Sequence, residues 1–160
     1  DSIQNKSEVH LNYNTNGTVL PTEHLLNLWQ QFKLVQLDFS IDDIGTRFEY
    51  QRYPAKWEKI VSNLQWFIDN AHSNCIFAVN TTVSILNQDN IDNLNFWLQK
   101  NFNTNRFTDP IEHRKQQCFG ILSTHNKDLI KITKYLDSLD YRRGTSWKNT
   151  FPELMEYLKS

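Results

Sequence analysis

The chain has 160 residues, 17 Lys and Arg against 18 Asp and Glu for a formal net charge of -1, and 39% apolar residues. One domain is the expectation for this length. The balanced charge excludes the basic footprint of a general nucleic-acid binder and gives no attraction to anionic lipid, and no apolar run approaches the ~20 residues that span a bilayer. Ten Phe, six Tyr and five Trp supply the bulk for a packed core, which excludes a disordered chain.

Cys75 and Cys118 stand far apart with no CxxC spacing around either, so neither a disulfide framework nor a thiolate metal site is written in the sequence. They read as small apolar residues in a reducing compartment, and the expected location is cytoplasmic. Sequons at Asn16 and Asn80 matter only in a secreted protein, and the first residues lack a signal-peptide pattern. Met155 is the only methionine and the chain opens on Asp1, so a processed chain, or one cut from something longer, is expected.

Taken in chain order, Glu8 to Tyr13 alternates weakly and ends in Asn14-Thr15-Asn16-Gly17-Thr18, which reads as strand then loop. Pro21-Thr22-Glu23 opens a helix whose apolar face is Leu25, Leu26, Leu28, Trp29 and Phe32. Lys33 to Ile41 is short and aliphatic and stops at Asp42-Asp43, which predicts a buried strand. From Lys56 to Ala71 the positions Trp57, Ile60, Val61, Leu64, Phe67 and Ile68 fall at helical spacing. Cys75 to Ile85 is strand-like, and Asp89 to Phe102 carries another helical face. Strands separated by helix-length segments need crossovers, so residues 8 to 102 read as consecutive parallel βα units of an α/β fold.

Beyond Phe102, a short strand is expected within Thr104 to Pro110 and a strand or helical turn over Gln116 to Leu122. Asp128 to Leu139 is a helix, and Phe151 to Leu158 a terminal one after a break at Gly144. No linker separates a second domain. The organisation expected is a βα segment over 1–110 and a C-terminal helical segment over 111–160 packed on it.

In parallel α/β sheets ligands gather beyond the carboxyl ends of the strands. Three such junctions are polar: Asn14 to Thr18, Ser40-Ile41-Asp42-Asp43, and Asn80-Thr81-Thr82 running toward Asn87. Period-two alternation places Asp38, Ser40 and Asp42 on one side of their strand, where burial without partners is costly. Asp42 or Asp43 reads equally as a cap for the next segment. Asp38, Asp42 and Asp43 also read as a magnesium site for phosphoryl chemistry, although no glycine-rich phosphate loop is present and the five histidines lack metal-ligand spacing. Arg52 is either a surface ion-pair partner or a guanidinium folded over the strand end to hold a carboxylate at two points.

The ordered pieces Asn14-Thr15-Asn16-Gly17-Thr18, Phe39-Ser40-Ile41-Asp42-Asp43 with Arg52 beyond, Asn80-Thr81-Thr82-Val83-Ser84, and the closing Leu139 to Trp147 with Phe151-Pro152-Glu153-Leu154 resemble the later part of the radical SAM superfamily, in its twitch or SPASM-like subgroup. The resemblance implies part of a (β/α)6 partial TIM barrel that binds S-adenosylmethionine (SAM). Ser40 and Arg52 would contact SAM, with the arginine on its carboxylate. Asp42 would shape the same strand end, Asn14 and Asn16 would sit in the loop bordering the pocket, and Asn80 would lie near the ribose.

The family's CxxxCxxC loop, whose thiolates hold a [4Fe-4S] cluster, is absent from this sequence. The resemblance therefore implies a fragment that is inactive alone, with the cluster, and a peptide or protein substrate, belonging to the full-length protein. The exposed strand edge near Glu8 to Tyr13 suggests self-association. The competing readings are a non-catalytic α/β binding or interaction module and, third, a magnesium-dependent phosphotransfer enzyme.

Overall fold

A computed structural model describes residues 5–102, 107 and 115–159. The strands are β1 (His10–Thr15), β2 (Leu34–Ser40), β3 (Cys75–Val83) and β4 (Lys115–Gln117), all parallel and in the order β1-β2-β3-β4. The helices are α1 (Glu23–Trp29), α2 (Gly45–Gln51), α3 (Trp57–Asn70), α4 (Ile91–Asn101), α5 (Leu129–Arg143), α6 (Trp147–Thr150) and α7 (Pro152–Lys159), with short 3-10 turns at Lys6–Glu8 and Gln88–Asn90. The chain is therefore α/β, as its alternating periodicities imply.

Strand order follows sequence order, so each crossover steps in the same direction. Right-handed crossovers of that kind lay their helices on one face of the sheet. The packing agrees. Val35, Leu37 and Phe39 of β2 and Cys75, Phe77 and Val79 of β3 share one buried cluster with Trp29 of α1, Ile60 and Leu64 of α3, and Leu94 and Leu98 of α4. A second cluster joins α5, α6 and α7 to the segment after β3 and to α2 through Ile132, Leu136, Trp147, Phe151, Ile85 and Tyr50.

Local chemistry fixes the element ends. Thr22 caps α1 by accepting from the Leu25 amide at 3.2 Å, and Asp128 caps α5 by accepting from the Lys131 amide at 2.9 Å. Gly144 ends α5 in the left-handed conformation at φ 65°. Asp42-Asp43 ends β2, but Gly45–Gln51 is helical, a short helix the sequence reading passed over because its apolar residues, Phe48 and Tyr50, do not form a repeating stripe. The strand expected within Thr104 to Pro110 lies outside the described residues, apart from a parallel bridge between Phe107 and Phe77. Among the described residues no helix is long and apolar enough to cross a membrane.

Candidate functional site

The two faces of the sheet differ sharply. The odd-numbered positions of β2 and, apart from Thr81, of β3 are apolar and pack in one buried cluster with helices. The register aligns Asn12 with Gln36, Asn14 with Asp38, and Ser40 with Asn80, so these side chains share the opposite face. Asp38 is fully buried there and accepts a hydrogen bond from Gln36 Nε2 at 3.0 Å.

At the carboxyl ends of the strands this face carries Asn14, Ser40 and Asn80. Asn80 Nδ2 donates to Asn14 Oδ1 across β2 at 3.5 Å. Asn80 Oδ1 is buried with no hydrogen-bond partner among the described residues. An amide oxygen so placed costs free energy until something donates to it.

Asp42 and Arg52 form a second group just beyond the strand. Asp42 is nearly buried and takes two bonds from Arg52, from Nε at 2.6 Å and from Nη2 at 2.9 Å. The Thr82 amide also donates to Asp42 at 2.8 Å, which ties the pair to the neighbouring strand. The guanidinium therefore folds back to hold a carboxylate at two points, and that carboxylate is the protein's own. Arg52 keeps further N–H donors, and its side chain is 29% exposed. It lines a cavity of about 650 Å³ together with Asn16 and Thr18 of the loop after β1. Asn16 Oδ1 accepts from the Thr18 amide at 3.1 Å and the Thr18 hydroxyl at 2.7 Å, an Asx turn that fixes the loop.

Asp43 turns the other way. It accepts from Arg47 Nε at 2.9 Å, from Gln51 at 3.2 Å, from its neighbour's amide at Ile44 and from Asn90. Arg47 in turn reaches Glu153 and the Leu86 carbonyl and lies over the Phe151 ring at 4.7 Å. Burial works against the charge of Arg47, but Asp43 and Glu153 more than offset it, so its pKa rises. Asn87, fully buried, donates to the carbonyls of Asp42 and Thr82 at 2.7 and 3.0 Å.

Of the residues singled out in the sequence, Asn14, Ser40 and Asn80 share one strand-end face, Asp42 and Arg52 pair just beyond the strand, and Asn16 lines the same cavity as Arg52. Asp38 is on the Ser40 face, as alternation requires, whereas Asp42 has left the strand. Asp42 and Asp43 each bind an arginine rather than each other's neighbourhood, and among the described residues no three His, Cys, Asp or Glu side chains gather closely enough to hold a metal ion. Arg47 and Asn90 escaped the sequence reading, Asn87 entered it only as the end of a polar stretch, and Asn63, off the apolar stripe of its helix and so expected to face outward, is buried. Only Arg47 had a local signal, since it stands four residues after Asp43 and ahead of an uninterrupted helical turn.

The cysteines can be tested against a [4Fe-4S] cluster. Cys75 opens β3, and the Cys118 amide donates to Val83 at that strand's far end at 2.8 Å, so roughly 25 Å of strand separates them at about 3.3 Å per residue. Burial, and then the Asp42 carboxylate, push the Cys118 thiol up, away from the thiolate such clusters need. These residues do not fit the cluster. In comparisons with known proteins the chain matches no protein-family model, no curated protein and no solved structure.

Proposed function

We propose that this chain is the SAM-binding later portion of a radical SAM enzyme, contributing consecutive βα units to a partial (β/α)6 barrel and supplying no redox centre of its own. The observation that carries the reading is the polarity of the sheet. An open, doubly wound parallel sheet buries both faces under helices and is apolar on both. A barrel buries only its outer face under helices and turns the inner one toward its centre, where ligand sits at the carboxyl ends of the strands. Here α1, α3 and α4 pack on one face, and the other carries Asn12, Asn14, Gln36, Asp38, Ser40 and Asn80 among Leu34, Ile76 and Ala78.

The donor set suits the ligand. SAM offers a ribose with hydroxyls that pair with amide oxygens such as Asn80 Oδ1, and an amino-acid end whose carboxylate suits the unused N–H groups of Arg52. When bound in a complete enzyme, SAM would supply the carbon radical. The residues here would hold and orient it.

The test is an amide-resolved NMR titration of the chain with SAM. Binding in the millimolar range, about -4 kcal/mol, is expected, with shifts concentrated at Asn14, Ser40 and Asn80 and reduced in Arg52→Ala. No shifts up to saturating SAM, or shifts scattered away from the strand ends, would overturn it.

A further inference from the structure

β1 is an edge of the sheet, with β2 on one side and no strand on the other among the described residues. Its residues, His10–Thr15, include no Pro, Gly, Lys, Arg, Asp or Glu, the residue types that ordinarily blunt an edge. The opposite edge, β4, is 3 residues long and begins on Lys115, so it is already protected.

The ladder sets which backbone groups of β1 are left over. Along a strand the N–H and C=O of one residue point to one side, and those of the next residue to the other. The Val9 carbonyl accepts from the Lys33 amide at 3.1 Å, and β2 turns the amides of Val35 and Ile41 to the carbonyls of Asn74 and Asn80 on its β3 side. Even-numbered residues of β2 therefore face β1, and Leu11, Tyr13 and Thr15 answer them. The amides and carbonyls of His10, Asn12 and Asn14 point away from the sheet, with no backbone partner among the described residues. All three residues are exposed.

We infer that β1 pairs with β1 of a second copy of this chain, antiparallel about a two-fold axis through Asn12. An axis normal to the sheet keeps each face on its own side, so even-numbered residues meet even-numbered ones. Centred on Asn12, the pairing sets Asn12 opposite Asn12 and His10 opposite Asn14, which uses every outward amide and carbonyl of both strands. Centring it on Tyr13 leaves His10 opposite Asn16, outside the strand. On the helix-covered face the Asn12-centred register brings Leu11 of each protomer against Tyr13 of its partner, in the closer, non-hydrogen-bonded positions. Tyr13 is 39% exposed and tilted against Trp29 at 5.7 Å, so the pairing covers apolar surface that the single chain leaves in water. Glu8 falls opposite Asn16, and no like charges face each other across the axis. A copy added in parallel would leave a new edge open instead of closing. A contact of this length defines a weak dimer that exchanges readily. The inference does not rest on the SAM reading, and the strand that would adjoin β1 in a complete barrel competes for the same edge.

The experiment is sedimentation equilibrium of the whole chain and three variants. The weight-average mass of the parent is expected to rise toward twice the monomer's between about 10 µM and 1 mM. Asn12→Pro removes a donor that points outward and spares the ladder to β2, so it should raise the dimer dissociation constant about tenfold or more. Asn12→Lys and Asn12→Glu each oppose like charges at the axis and should be monomeric alone, whereas an equal mixture of the two should dimerise. Circular dichroism checks each fold, and the charge pair carries the test if the proline variant unfolds. A parent that stays monomeric, a mass that grows beyond the dimer, dimerisation unchanged in all three variants, or a mixture that remains monomeric would each overturn the inference. Mass and SAM-induced shifts at Asn14, Ser40 and Asn80 are separate readouts, so either reading can fail without the other.

Discussion

Asp42 and Arg52 are joined at two points, 2.6 and 2.9 Å, across the gap between the end of β2 and the end of α2. The same carboxylate accepts from the Thr82 amide, so one side chain couples two strands and a helix. Asp42→Asn replaces an acceptor with an amide that turns a donor toward either the guanidinium or Thr82. It should destabilise the fold by about 2–3 kcal/mol, read as a lower urea midpoint at unchanged slope. Arg52→Lys should not restore the pair, because a lysine ammonium cannot present two parallel donors.

Arg47 is the corresponding clasp for the C-terminal helices. Its guanidinium spends its donors on Asp43, Glu153 and the Leu86 carbonyl, and its plane covers Phe151. Arg47→Met keeps the apolar stem and removes every donor, leaving the buried Asp43 carboxylate to Gln51, Asn90 and the Ile44 amide. A loss of about 2–4 kcal/mol is expected. Hydrogen exchange should locate it, with amides of α7 losing protection before those of α3. Uniform loss across both helices would count against a local clasp.

What the sequence made legible follows from where the physics is local. The α3 stripe, Trp57 to Ile68, and the aliphatic run before Asp42 are decided by residues close in the chain. Asp38 and Ser40 could be assigned to one face from alternation alone. The α2 helix and the Arg47 clasp could not, because α2 is two turns long and holds its place through Leu86, Phe151 and Glu153, partners 39 or more residues away. Arg52 was legible as a two-point carboxylate holder, but nothing local says that the carboxylate is Asp42. Asn63 illustrates the limit: helical spacing leaves it off the apolar stripe and so turns it outward, yet it is buried, where it donates to the Gly17 carbonyl at 2.7 Å.

That contact makes Gly17 a sensitive position. Its φ is +70°, in the left-handed region, and a Cβ there would lie 3.2 Å from Phe39 Cδ1 and 3.8 Å from Ile60 Cδ1. Both backbone and packing therefore oppose a side chain. Gly17→Ala should cost about 1–2 kcal/mol and shift the loop that carries Asn16. Thermal or urea unfolding checks the first effect. The second appears as altered amide shifts at Asn16 and Thr18, while those of α5 stay in place.

Glu49 links stability to pH. Its carboxylate accepts from the Trp57 amide at 3.0 Å, the first amide of α3, and from Lys56 at 3.1 Å. The Trp57 amide chiefly holds its pKa below the ordinary value of 4.5; burial pulls the other way and Lys56 adds to the lowering. A carboxyl with a depressed folded-state pKa stabilises the fold above its unfolded value and loses that contribution as pH falls through the folded one. The Glu49→Gln variant should therefore be less stable than the parent by about 0.5–1 kcal/mol at pH 7, the usual worth of a helix N-terminal cap. The gap should narrow progressively below pH 4.5. Urea midpoints for both proteins across that range decide it: a difference that stays constant with pH would mean that the ionised carboxylate is not what holds the start of α3.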